Sequence, residues 1–419
     1  MLKGLWRRLT SVLRGKPEVP RVAARESRRE TAHYERPSPI PVEAPAERPI
    51  PALPIVFFNV GLDFGTSSTK VVVRDVLVGQ SYVYALHPGL PGYPSYALPS
   101  AVRIHDDRIW FGPEAERRQG GRVFRSFKIC LACQSHVGNC RGCETSEADA
   151  GRLGRFLLAS SDPIDARELV TLYLAYVIAT VRAAIRKRFA IGRDVRLTYN
   201  MCLPIDQFEA GPGREAFVRA LFLAEKLADS IRDGVWVKAA REAYRTIDAQ
   251  YPVTPDEKER QTFVQPEAVA ALLPFAVSRV AIDGLCGIVD VGAGTTDVAF
   301  FRLFDHGERS LSFYHARSAV VGADDVDRAL YSAGRERAGR HTEEADRAIL
   351  QEIRLRKQRL QRGDSFAWRS DGCEVKLDPA QVQPLVGSPN AYSVNIRGRG
   401  VGHIEWSRCR AGGRAFGYF

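Results

Sequence analysis

Hydrophobic and polar positions change rhythm several times along the chain, and each change marks an element. The run from Ile55, IVFFNVGLDFG, is apolar enough for a buried strand and enters a glycine turn. KVVVRDVLV, from Lys70, reads as the next strand. Asp165–Arg188 places apolar residues at helical spacing and predicts a long amphipathic helix. VRLTYNMCLP then reads as a strand ending at Pro204, and a helical region follows over Arg214–Arg245. After that the pattern restarts. GLCGIVDVGAG is again an apolar strand entering a glycine turn, and TDVAFFRL is again a strand leaving one. Two such units about 227 residues apart predict a duplicated α/β architecture with lobes over 55–278 and 279–396, the second expected to be truncated. There is no short-period repeat of the solenoid kind.

The flanks follow other rules. Within residues 1–15, Leu2, Leu5, Trp6, Leu9, Val12 and Leu13 share a helical face, leaving Lys3, Arg7, Arg8 and Arg14 largely for the other. A basic amphipathic helix of this kind lies on an anionic membrane surface or docks in a partner's groove. A tail helix packed on its own protein would show the same pattern. Residues 16–54 hold nine of the 24 prolines and predict an extended, disordered linker. Residues 397–419 hold six Gly and five Arg without strand or helix period, an irregular tail that is either a basic disordered segment or a frame-shifted end.

Composition narrows the class: 45% hydrophobic and 26% charged residues are those of a soluble globular protein. Part of the net charge of +11 sits in the two flanks, so no specific nucleic-acid partner is expected. The basic N-terminus is not followed by the apolar core and cleavage site of a secretory signal. The near-apolar run Leu169–Val181 is short for a bilayer span and is expected as a buried helix. The expected location is cytoplasmic, with a peripheral membrane contact through residues 2–14.

The two turns carry readable chemistry. The first is Asp63-Phe-Gly-Thr-Ser-Ser-Thr-Lys70 and the second Asp290-Val-Gly-Ala-Gly-Thr-Thr-Asp297. Glycine lets backbone N–H groups approach phosphate oxygens, and hydroxyls add donors. An aspartate at a strand end can hold the waters of Mg²⁺. One turn of this kind is a common hairpin; two in matching strand contexts are a specific signal.

With these residues the chain resembles the actin/DnaK/hexokinase ATPase superfamily, and within it the DnaK-type heat-shock chaperones. GLDFGTSSTK is similar to their first phosphate motif and VDVGAGTTDVAFF to the second. LPSAVRIHDDRIWFGPEAERR resembles the segment after the first motif, and RVFRSFK the run ending in the family's catalytic lysine, here Lys128. QPEAVAALL resembles the interdomain helix, its acid being Glu267. VGADDVDRAL, with Gly322, is similar to the following glycine turn in a spelling closer to the bacterial actins. The match runs from about Asn59 to Leu360. It implies that Asp63 and Asp290 hold hydrated Mg²⁺, and that Gly65, Thr66, Ser67, Gly292, Gly294, Thr295 and Gly322 belong to the ATP site. It implies further that Glu267 and Asp297 orient the attacking water while Lys128 stabilises charge on the transferred phosphoryl. Three departures stand out. Ala293 replaces a middle glycine, Glu352 and Lys357 miss the spacing of the adenosine-contacting helix, and the adenine-binding glycine turn is not found near the C-terminus.

The eight cysteines are uneven: Cys130-x₂-Cys133 and Cys140-x₂-Cys143 form two knuckles, and four others are scattered. Two facing knuckles make a tetrahedral thiolate site, which points to structural Zn²⁺; an iron–sulfur cluster or a thiol switch are the alternatives. Cys202 and Cys286 lie in apolar strands and are expected in the core. The leading expectation is an ATP-binding, slowly hydrolysing switch acting on an unknown protein partner, without a peptide-binding domain of its own. A polymerising bacterial actin, a non-hydrolysing nucleotide module and a small-molecule kinase are the alternatives.

Overall fold

The computed structural model describes residues 55–90, 93–134, 155–156, 164–189, 194–209, 211–276, 283–305, 309–319, 322–324, 366–370 and 373–377, with single positions at 278, 281, 326, 327, 330, 331 and 353. The predicted N-terminal helix, the linker, the Arg/Gly tail and the knuckle Cys140–Cys143 lie outside them. The architecture is mixed α/β.

The organising strand is β1 (Ile55–Phe64). Its residues alternate, with Val56, Phe58, Val60, Leu62 and Phe64 buried and the intervening positions facing away. β2 (Ser68–Asp75) returns antiparallel beside it, followed by β3 (Ser81–Val83) and β4 (Ala97–Pro99), both paired to β2. A small antiparallel sheet comes next from β5 (Val102–His105), β6 (Arg108–Phe111) and β7 (Arg122–Phe124), with the short helix α1 (Gly112–Arg117) between the last two. Helix α2 (Phe127–Gln134) and a two-residue ribbon, β8 (Arg155–Phe156) with β9 (Ile164–Asp165), precede the long helix α3 (Ala166–Phe189). Then β10 (Asp194–Leu203) enters parallel to β1 on the edge opposite β2.

Two helices, α4 (Ile205–Glu209) and α5 (Gly211–Leu227), follow β10. The helical region predicted over Arg214–Arg245 is made of two helices with a break between them. After a single 3₁₀ turn at Ala228–Ser230, the chain forms β11 (Val235–Trp236) and resumes as α6 (Val237–Gln250). The break is set by Gly234, at φ +73°, whose N–H donates to the Ile109 carbonyl at 2.8 Å and delivers β11 to the free edge of β6. β12 (Thr262–Pro266) completes the large sheet, parallel to β10, in the order β12–β10–β1–β2–β3. Helix α7 (Glu267–Ala276) leaves its end.

Helix α3 lies on the buried face of β1, with Phe58 against Phe189 at 5.0 Å between ring centroids and Phe64 against Tyr173 at 5.8 Å. Of these, Phe58, Phe64 and Tyr173 are fully buried, and each such side chain contributes about 1.5–3 kcal/mol. By length and apolarity α3 would pass for a membrane span, but 67% of its apolar window is buried in this core, the setting expected for Leu169–Val181.

The pattern does restart as predicted, with β13 (Gly284–Val291), β14 (Thr296–Asp305) and β15 (Arg309–Ala319) forming an antiparallel meander. By compactness the chain divides into Met1–Asp324 and Asp325–Phe419. The predicted lobe boundary at 278/279 differs from this division, which groups β13–β15 with the first sheet. The second unit contains the hairpin of β16 (Phe366–Ser370) and β17 (Cys373–Leu377).

Candidate functional site

In both glycine hairpins strand alternation puts an aspartate at the end of the incoming strand. In the first, Gly65, Thr66 and Ser67 make the turn, closed by the Gly65 N–H donating to the Ser68 carbonyl at 3.0 Å. This turn is anchored from below. Ser100 donates its hydroxyl to the Gly65 carbonyl at 2.8 Å and its backbone N–H to the Ser67 carbonyl at 2.9 Å. The Tyr173 hydroxyl lies 3.0 Å from both Thr69 Oγ1 and the Pro99 carbonyl, and Thr69 is 3.1 Å from Ser100. Burial drives the Tyr173 phenol well above its ordinary range, so it stays a neutral donor.

In the second hairpin the Gly292 N–H donates to the Thr295 carbonyl at 2.8 Å. Gly322 lies flat on this turn: a Cβ there would come within 2.3 Å of the Ala293 carbonyl oxygen. The close approach lets the N–H groups of Ala323 and Asp324 donate to the Gly292 and Ala293 carbonyls at 3.0 and 2.8 Å. Ala293, the departure noted in the motif, is accommodated in this arrangement.

The two turns meet. A Cβ on Gly294 would sit 3.1 Å from Thr66 Oγ1 and 2.3 Å from Ile129 Cδ1, so only glycine permits the contact. Beside it, Lys128 donates to Glu267 Oε1 at 2.6 Å, with side-chain exposures of 7% and 14%. Lys128 is therefore no solvated surface lysine. Burial alone would lower its ammonium pKa, but the Glu267 carboxylate outweighs burial and raises it. Ser126, two residues earlier, has φ +58°, a left-handed conformation costly for a serine, at the point where α2 begins.

Charges from both hairpins converge here. Asp290 is raised above the usual carboxylate range, first by burial and then by the fields of Glu267 and Asp63, against Lys70 and Lys128. Asp297 is pushed up to about 6, chiefly by burial, although Ser318 donates to its Oδ1 and the Ile205 N–H approaches the same atom at 3.4 Å. Lys70 pairs with Asp63 at 3.0 Å. Burial would lower Lys70, and Asp63 overrides it to leave a net rise. The Cys202 thiol is pushed up to about 12 by burial and by Asp63 and Glu267.

The structure thus brings together Asp63, Thr66, Lys128, Glu267, Asp290, Gly294 and Asp297, with Gly65, Ser67, Gly292, Thr295 and Gly322 forming or bracing the turns. Sequence reading passed over Lys70, Cys202, Ser100, Tyr173 and Ser318. A signal for Lys70 existed, since it follows Asp63 at the spacing by which Asp297 follows Asp290. Cys202 was expected as plain core; it is only partly buried and lies within the field of the charged cluster.

Of the predicted thiolate ligands, Cys130 is fully buried on α2 among the apolar residues of the main core. Cys133 follows one helical turn later, and Cys140 and Cys143 lie outside the described residues. Among the described residues no group of three or more His, Cys, Asp or Glu side chains has metal-binding geometry. No protein-family model matches the chain, and no curated protein matches it either.

Proposed function

We propose that this chain is a two-lobed ATPase of the actin type that binds Mg²⁺–ATP between its glycine turns and works as a slowly hydrolysing switch. The observation that carries the reading is the meeting of the Asp63 and Asp290 hairpins around one buried lysine, from positions far apart in sequence. Strand order supports it: three antiparallel strands followed by two parallel ones on the far edge of β1, then a second antiparallel meander with the same turn. The donor set fits the ligand, since carboxylates suit hydrated Mg²⁺ and glycine N–H groups with hydroxyls suit phosphate oxygens.

The chemistry that a bound Mg²⁺ would supply here is neutralisation of phosphate charge. Asp63 and Asp290 would hold the ion's waters, while Thr66, Ser67 and Thr295 donate to phosphate. Asp297, ionised above about pH 6, accepts a proton from water, and Glu267 shares Lys128 until a phosphoryl group competes for it. Because Gly294 rests on Thr66, phosphates entering between the turns must part them, which makes ligand entry and lobe movement one event.

The test is thermal unfolding with and without Mg²⁺–ATP. At a ligand concentration 100 times Kd, stabilisation should reach about 2.7 kcal/mol. Asp63→Ala and Asp290→Ala should each remove it, and a wild-type melting curve indifferent to ATP would sink the reading. Under the same proposal the four-cysteine run holds one structural Zn²⁺, with its first two thiolates on the helix that carries Lys128. Elemental analysis of protein purified without chelator should find one zinc per chain, lost in Cys143→Ser. A metal-free wild type would remove that part alone.

A further inference from the structure

The small sheet of β5, β6, β7 and β11 has an inner and an outer face. On β6, Ile109 and Phe111 are fully buried, so Arg108 and Trp110 point the other way. Register then assembles the outer face: Arg108 lies between His105 and Trp236, and Trp110 lies opposite Arg103. Arg118, just after α1, stacks on Trp110 with its guanidinium carbon 3.2 Å from the ring centroid; Arg108 stacks on Trp236 at 4.1 Å. His105, Asp106, Arg108, Trp110, Arg118 and Gln119 enclose an open cavity of about 570 Å³.

We propose that this face is a docking surface for an acidic segment of a partner protein. A guanidinium held over an indole face is kept in place while N–H groups remain at its rim for hydrogen bonds to a carboxylate, Arg108 having given one of its own to the Gly234 carbonyl. Two arginines, Arg108 and Arg118, line the cavity, while Arg103 beside them is buried and Arg117 and Arg125 are paired with Glu114 and Glu116. One carboxylate lines the cavity, Asp106, 87% exposed and 3.2 Å from His105; Glu114 approaches Arg118 at 3.7 Å from outside the lining. Trp236, 52% exposed, extends the face with apolar surface. An extended peptide alternating acidic and apolar residues matches this order of Trp, Arg and Arg. Nucleic acid matches it less well, because guanidinium groups already occupy the indole faces on which bases would stack.

The surface is held rigid. Asp106 and Asp107, both at positive φ (+50° and +55°), form the two-residue turn joining β5 to β6, a conformation that normally calls for Asn-Gly. Arg108 is further fixed by donating to the Gly234 carbonyl at 3.0 Å.

The experiment uses the full chain and a fluorescein-labelled decapeptide of alternating Glu and Leu, followed by fluorescence anisotropy. Saturable binding that weakens with salt is expected, and Arg108→Gln combined with Arg118→Gln should weaken it at least about tenfold without moving the melting temperature. Arg118→Lys, which keeps charge but loses the planar stack, should show part of that loss. A matching Lys–Leu peptide should bind at least about tenfold more weakly than the acidic one. Equal peptide affinity in the wild type and the double variant would overturn the proposal. So would no saturable binding, or tighter binding of a thymidine oligonucleotide that the same double variant loses. The reading does not depend on nucleotide binding, and peptide affinity without ATP tests it separately.

Discussion

In each glycine hairpin the aspartate ending the incoming strand lies directly across from the residue seven positions later: Asp63 faces Lys70, and Asp290 faces Asp297. The first pair is an ion pair at 3.0 Å, nearly self-neutralising and half exposed. The second is two carboxylates, both raised in pKa, and among the described residues Ser318 and a backbone N–H donate to Asp297. Their strands differ as well. β1 is hydrogen-bonded on both edges, to β2 and β10, whereas among the described residues β13 pairs with β14 alone and leaves Leu285, Val289 and Val291 exposed. The same local backbone device is thus set once in a strand paired on both edges with its aspartate facing a lysine, and once, among the described residues, in a strand paired on one edge with its aspartate facing a second carboxylate. On electrostatic grounds the second hairpin is the one that gains most from a cation, and the first is the one that already carries its own.

The largest effect should come from the residue that belongs to neither hairpin. Lys128→Met is expected to lower kcat by about 10²–10³ with little change in KM, since a group acting on developing charge is felt mainly in the transition state. Because it strands Glu267, the double variant with Glu267→Gln serves as the folding control. If Lys128→Met hydrolyses ATP at the wild-type rate, the lysine is only a structural counter-ion.

Next comes the acidic pair. Asp297 has a folded pKa of about 6 against an ordinary 3.8, so its stabilising protonated form is complete below the unfolded value and lost as pH rises through the folded one. Asp297→Asn should therefore melt higher than wild type at pH 7, with the advantage shrinking to nothing below about pH 4. The rate of hydrolysis should rise through pH 6 in the wild type, and that limb should vanish in the variant. An unchanged pH–rate profile would remove Asp297 as the base.

The smallest effect tests the neutralised turn. Lys70→Met should weaken ATP affinity by about tenfold, the scale of one charge-assisted contact, and leave kcat alone. Titration calorimetry measures it, and unaltered affinity would show that Lys70 serves Asp63 only.

Both turns were legible in the sequence because their signature is local: an apolar strand, an aspartate, glycines and hydroxyls within eight residues. The predicted helices and strands around them were legible for the same reason. What escaped depends on distant partners. Nothing near Lys128 announces that Glu267, 139 residues on, will bury it. Tyr173 looks like any core aromatic of α3 until its hydroxyl meets Thr69. The break at Gly234 was missed because a helical rhythm resumes behind it, and the strand between them exists only because β6 offers an edge. Lys70 sits in the outward-facing register of β2, where a charged residue is ordinarily solvated.

The position of β12 as the last strand of the large sheet has a consequence in time. Chains emerge from the ribosome N-terminus first, at about 5–20 residues per second. Once Pro266 is out, every strand of the large sheet is available, and Glu267 follows at once to meet a lysine made long before. Asp290 and Gly294 come later, and Gly322, which braces their turn, later still. The nascent chain can therefore complete the large sheet around Lys128 while the second hairpin is still inside the exit tunnel, so the long-range closure of the site follows the sheet's formation rather than guiding it.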